Sequence, residues 1–158
     1  MSTSTSTTPV SAATPTAQAG IDPRGPRFVA GLTVVVVAAA LLAPAPIGLA
    51  LAGLQAGLFA LGAARGVQHT PQSWLFRALV RPRLAPPAEL EDPAPPRFAQ
   101  AVGLVFTLVA LVGFATGVTL LGQVAIGFAL VAALLNAAFR FCLGCEMYLL
   151  IRRFAPAT

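Results

Sequence analysis

Cys142 and Cys145 are the only two cysteines in the chain, and they stand three residues apart near the end of its last apolar run. On a helix, residues at that spacing share a face, so the two sulfurs are neighbours if the helix continues through Gly144. Such a pair can close a disulfide or act as a dithiol, exchanging electrons with another thiol protein or carrying sulfur as a persulfide. Glu146 comes one turn after Cys142 on the same face, which makes it a modulator of the pair. Helix N-termini and nearby cations favour the thiolate. A continuous helix would instead put this pair toward a C-terminus, beside a carboxylate and with Arg140 on nearly the opposite face, an arrangement that disfavours it. The competing reading makes both cysteines small apolar packing residues in a tight bundle.

Asn136 and Arg140 are four apart in the same run and share a face. Polar groups within the membrane point to function by default, so the two are candidates to line a substrate path. Alternatively Arg140 snorkels to the interface and Asn136 bonds a neighbouring helix. One Cys-x-x-Cys supplies two of the usual four ligands of a structural metal, and the sole imidazole, His69, reads as a solvated loop residue. A metal would need a dimer sharing four cysteines, and none is expected. Haem attachment requires a histidine after the second cysteine, where this chain has Glu146. No phosphate loop, nucleophile triad or paired intramembrane carboxylate is present, so no cofactor is expected and a stand-alone enzyme is not the favoured reading.

The elements that must position these residues are membrane helices. Of 158 residues, 57% are hydrophobic and only 9% charged, against roughly 25% charged in soluble domains. Such a chain cannot keep a water-facing surface and takes the lipid bilayer as its solvent. The ten basic residues are all arginine and form no dense basic face, which argues against nucleic acid. Residues 1–22, rich in Ser, Thr, Ala and Pro, read as a disordered tail. Residues 23–158 then form one membrane domain with apolar runs at about 28–42, 47–64, 98–118 and 119–151. Spanning segments must be helices or closed barrels, and Ala, Leu and Gly without strict alternation argue for helices. Every loop arginine precedes the first run, follows the fourth, or lies in the long loop over 65–97. The positive-inside rule therefore puts both termini and that loop in the cytoplasm.

The chain also echoes itself. Pro26-Arg27-Phe28 recurs as Pro96-Arg97-Phe98, and Arg83-Leu84-Ala85-Pro86 is answered by Arg153-Phe154-Ala155-Pro156. Each half would be a helix pair in one orientation, a parallel repeat. Gly53-x-x-x-Gly57, Gly62-x-x-x-Gly66 and Gly113-x-x-x-Gly117 permit close packing. Within the loop, Thr70-Pro71-Gln72-Ser73 reads as a helix start, followed by an apolar stripe of Trp74, Leu75, Ala78 and Leu79 on a short interfacial helix. The proline-rich stretch from Pro82 to Pro96 reads as an extended connector.

Four segments together resemble the uncharacterised bacterial membrane family called domain of unknown function 4395, in its actinobacterial form. They are Ile21-Asp22-Pro23-Arg24-Gly25-Pro26-Arg27-Phe28, Arg81-Pro82-Arg83-Leu84, Pro96-Arg97-Phe98 and Phe141-Cys142-Leu143-Gly144-Cys145-Glu146-Met147-Tyr148. The resemblance covers nearly everything after the tail, and it implies residence in the bacterial inner membrane. It also implies a cytoplasmic partner, a thioredoxin-like protein or a sulfurtransferase, and so a role in thiol redox or sulfur handling. The expectation is an all-α integral membrane protein, with four transmembrane helices in two parallel hairpins and a short cytoplasmic interfacial helix. Cys142 and Cys145 are its working dithiol. A permease for a small sulfur-containing solute, with Asn136 and Arg140 on its path, and an anchor recruiting a soluble enzyme are the alternatives.

Overall fold

The computed structural model describes residues 20–154. Most of the tail expected over residues 1–22 lies outside the described residues. Its end does not: Ile21 is buried, and Asp22 accepts a hydrogen bond from the Arg24 amide at 3.0 Å. That contact starts α1 (Arg24–Leu42), which runs through Ala43 and Pro44 into α2 (Ala45–Arg65). Next come α3 (Pro71–Leu75), α4 (Ala94–Ala115), α5 (Thr119–Phe139) and α6 (Leu143–Phe154). Helices α1 and α4 begin ahead of the apolar runs, because Asp92 caps α4 as Asp22 caps α1, accepting from the Ala94 amide at 2.9 Å. Prolines 26, 95 and 96 fit in the first turns, where their missing N–H groups would have had no intrahelical partner.

Helices α1, α2, α4 and α5 are 19, 21, 22 and 21 residues long and apolar enough to cross a membrane. At 1.5 Å per residue they are about 28–33 Å long, close to the roughly 30 Å of a hydrocarbon core. Val35, Val105, Leu120 and Phe128 are each more than half exposed, as lipid-facing side chains must be. The helices pack in a ring, α1 on α2, α2 on α4, α4 on α5 and α5 back on α1, with α6 laid against α4. The centre holds small or branched residues, Val37, Ala52, Ala110, Ala125 and Ile126. All ten arginines lie at one end of the ring, whereas the opposite links, Ala43-Pro44 and Thr116-Gly117-Val118, carry no charge. Gly117 has φ 78°, which only glycine adopts without cost.

At the arginine end the two hairpins touch in matched ways. Ile21 and Glu91, seventy positions apart, pair through both backbone bonds, 2.9 and 3.0 Å. Arg27, at the start of the first hairpin, reaches the Ala137 carbonyl at the end of the second, at 3.4 Å. Arg97, at the start of the second, donates to the Ala63 and Ala64 carbonyls at the end of the first, at 2.7 and 2.8 Å. Each arginine thus sits on the negative end of a helix dipole. The Phe28 ring lies 5.7 Å from Phe76, and the Phe98 ring 5.8 Å from Tyr148.

Two expectations change. The extended connector is shorter than Pro82 to Pro96: the helical stretch that opens with a 3-10 turn at Val67–His69 runs through α3 and a π turn at Phe76–Val80 to a 3-10 turn at Arg81–Arg83, and α4 takes up the chain again at Ala94. The run read as one helix over 119–151 is two, broken between Phe139 and Leu143. The glycine pairs also part company. A Cβ on Gly113 would come within 2.6 Å of the Gly122 amide nitrogen, whereas Gly53 has nothing within 4 Å. Gly113→Ala should therefore cost about 1–3 kcal/mol through overpacking, and Gly53→Ala, in a helix interior, should gain about 0.5–1 kcal/mol. Unfolding in detergent micelles measures both.

Candidate functional site

The cysteines take their geometry from the break after α5. Arg140 adopts φ 60° and ψ 22°, and among the described residues it is the one non-glycine with positive φ. Its amide and that of Phe141 both donate to the Leu135 carbonyl, the latter at 3.2 Å. The Phe141 bond closes a seven-residue loop around the left-handed Arg140, a backbone position at a helix end that normally selects glycine. Holding an arginine there costs about 1–2 kcal/mol. The reversal sends the chain directly into α6. The Cys142 carbonyl accepts the Glu146 amide at 3.0 Å, the first bond of that helix, so Cys142 is its N-cap and Cys145 its third residue.

The pair therefore lies at a helix N-terminus, and the expected C-terminal placement is corrected. A disulfide joins Cys142 and Cys145, whose Cα atoms are 5.2 Å apart. Gly144 between them seats the turn on α4: a Cβ there would lie 2.6 Å from Ala99 Cα. Glu146 occupies the first turn of α6, where a carboxylate suits the helix dipole but opposes a thiolate.

The start of α3 is built to the same plan. The Thr70 carbonyl accepts the Trp74 amide at 3.0 Å, and its hydroxyl accepts the Ser73 amide at 3.3 Å. The Thr70 and Ser73 hydroxyls bond each other at 3.2 Å. Each hairpin is thus followed by a helix whose N-cap and third residue are linked side chain to side chain, by oxygen after α2 and by sulfur after α5.

Two cavities meet at Cys142 and Asn136. The outer one, of 590 Å³, opens at the arginine end and holds both cysteines, Arg24, Arg27, Arg140, Glu91, Asp92 and Glu146. Opposite charges thus face one another across it, and the buried Arg27 Nε has no hydrogen-bond partner. The inner cavity, of 230 Å³, runs into the bundle between apolar side chains and reaches Cys142 but not Cys145. Asn136 and Arg140, predicted to share a helix face, both line the outer cavity, and only Asn136 also lines the inner one. His69 is exposed and uses its Nδ1 on the Arg65 carbonyl at 2.7 Å. Among the described residues no cluster of three metal-ligating side chains occurs.

Sequence reasoning passed over a polar layer inside the bundle. Gln55 is 1% exposed and donates to the Thr33 hydroxyl at 3.4 Å, while its own carbonyl oxygen is buried without a partner. The available signal was that Thr33 and Gln55 are the sole polar side chains in the first and second apolar runs.

Among known protein families, a model described as domain of unknown function (DUF4395) matches residues 21–153. No curated protein and no solved structure matches the chain.

Arg140→Gly should raise stability by about 1 kcal/mol, because glycine enters the left-handed region freely. Gly144→Ala should lower it by about 1–3 kcal/mol, because α6 must lift from α4. Thermal melts of the two variants in the same detergent check this pair of opposite signs.

Proposed function

This chain belongs to the family described as domain of unknown function (DUF4395), a description that names no activity, and we propose that it is a membrane dithiol–disulfide protein working through Cys142 and Cys145. The observation behind this reading is the sulfur-for-oxygen exchange between two equivalent helix starts. Thr70 and Ser73 show that hydroxyls satisfy the capping geometry, so folding does not demand thiols at the second position. Chemistry does. A buried packing cysteine would also not border an open, charged cavity.

The exchange step follows from the placement. A thiolate of a soluble dithiol protein enters the outer cavity and attacks Cys145 Sγ, forming a mixed disulfide. Cys142 leaves as a thiolate, which the N-terminus of α6 stabilises, and a better-stabilised leaving thiolate departs faster. The partner's second thiol then attacks the mixed disulfide, freeing Cys145. The partner is oxidised by two electrons and the membrane pair is reduced. Arg24, Arg27 and Arg140 supply positive charge at the entrance, and Glu146 tempers it. The positive-inside rule argues that this entrance faces the cytoplasm of a bacterial inner membrane, where a thioredoxin-like protein or a sulfurtransferase would meet it.

The matched contacts of Ile21 with Glu91, Arg27 with Ala137 and Arg97 with Ala63 support reading the chain as a parallel duplication. Each unit is then two spanning helices followed by an interfacial helix, 71–83 in the first and α6 in the second.

The test is the double variant Cys142→Thr, Cys145→Ser, which installs the first half's own pair. It should match the reduced parent in stability to within about 1 kcal/mol, because Thr and Ser cap as well as any residue. Its exchange with a soluble dithiol should fall to background. In sealed vesicles, an impermeant maleimide should label the parent only after reduction and only from the arginine side. Cysteines that stay inert to a dithiol until the protein is denatured would refute the reading.

A further inference from the structure

A disulfide reduced by one partner needs a second one to restore it, and the inner cavity offers that second partner a place. We propose, building on the dithiol reading above, that this cavity binds a lipid-soluble quinone that takes the electrons from Cys142 and Cys145. The pair is unequally exposed: Cys142 borders both cavities, and Cys145 only the outer one. Cys142 thus borders a cavity that runs between the apolar spanning helices, where an electron acceptor would itself be lipid-soluble.

The lining suits a flat ring with carbonyl oxygens. Phe59, Phe106 and Phe128 supply aromatic surface. The Phe106 and Phe128 rings lie 5.8 Å apart between α4 and α5, and Phe128 is 59% exposed on the lipid side, which marks the entry route. A volume of 230 Å³ exceeds the roughly 150 Å³ cavity that holds benzene, leaving room for a substituted ring with its tail in lipid.

Thr33 and Asn136 each bring a polar group to the lining. Thr33 is 2% exposed and its oxygen accepts from Gln55. Among the described residues its hydroxyl proton goes to no acceptor, whereas the Thr107 and Thr116 hydroxyls each donate to a carbonyl one turn back. A buried hydroxyl with a spare proton, facing an apolar cavity, fits a carbonyl oxygen. Asn136, where the cavity meets the cysteines, makes no side-chain hydrogen bond among the described residues and offers an amide donor. The reaction balances without further reagents: two thiols lose two protons and two electrons as the S–S bond re-forms, and the quinone takes both pairs to become a quinol.

The test uses the full chain in lipid nanodiscs, reduced, freed of reductant and kept anaerobic. Decyl-benzoquinone is the probe, followed by its absorbance together with a count of free thiols. One quinone should be reduced for each disulfide re-formed. Thr33→Val should slow this about tenfold, the worth of a buried hydrogen bond. Thr33→Ser should restore it, and neither should alter reduction of the disulfide by dithiothreitol. Independently of redox chemistry, an azido-benzoquinone should photolabel α4 and α5 in the Cys142→Ser, Cys145→Ser protein, and Ala133→Phe, which fills the cavity, should abolish the labelling. Cysteines that exchange with dithiothreitol while quinone is neither reduced nor cross-linked in the cavity would overturn this proposal and leave the dithiol reading standing. Photolabelling in the cavity with cysteines inert to both reagents would overturn the electron transfer and the dithiol reading together.

Discussion

The Leu135 carbonyl takes the amide protons of both Arg140 and Phe141, and that shared acceptor turns the chain out of α5. Without the turn, one helix would run through Gly144, and the sulfurs would sit near a negative helix end. With it, α6 begins at Cys142, and the field at the sulfurs changes sign. The close approach of Gly144 to Ala99 then holds the new helix start against α4, so the cysteines stand where two cavities meet. An arginine in the left-handed region is an energetic cost, and such costs concentrate where geometry serves a task.

Lipid imposes the rest. No water is available to satisfy an open backbone group, so irregular structure is confined to the ends of the bundle. Arg27 and Arg97 each use a guanidinium to cover carbonyls that a neighbouring helix leaves free. Close contact falls at glycines, among them Gly48 against Ala40, Gly103 against Phe59 and Gly113 against Gly122, while the outer spanning surface is apolar. Among the described residues, both cavities, and the charged side chains that line the outer one, gather at the arginine end and in the bundle next to it.

The spanning helices were legible because hydropathy records burial in lipid directly, and the arginines because charge is excluded from it. The ends were less so. Pro23, Pro26, Pro95 and Pro96 look like breakers, yet with Asp22 and Asp92 as caps they open helices. The break at Arg140 was hidden because arginine is a good helix former, and nothing local announces a left-handed residue there. The reversal is selected by what α6 gains against α4, a tertiary term. For the same reason, the likeness of Cys142 and Cys145 to Thr70 and Ser73 could not be read from residue types, since sulfur and oxygen share no pattern until both are seen capping. Thr33 and Gln55 were visible as lone polar residues, but their meeting across two helices was not.

The hydrogen bond from Arg27 to Ala137 joins residues 110 positions apart, and this bears on how the protein is made. A ribosome delivers the first hairpin to the membrane long before Ala137 exists. During that interval Arg27 has no carbonyl to cover, and the first half lacks the neighbours that close the ring. The young hairpin must therefore wait in the bilayer as an unfinished half, open along the face that α4 and α5 will fill. Anything that occupied that face first, including the first hairpin of another copy, would compete with completion, so the speed with which the second half follows is part of what lets this chain close its own ring.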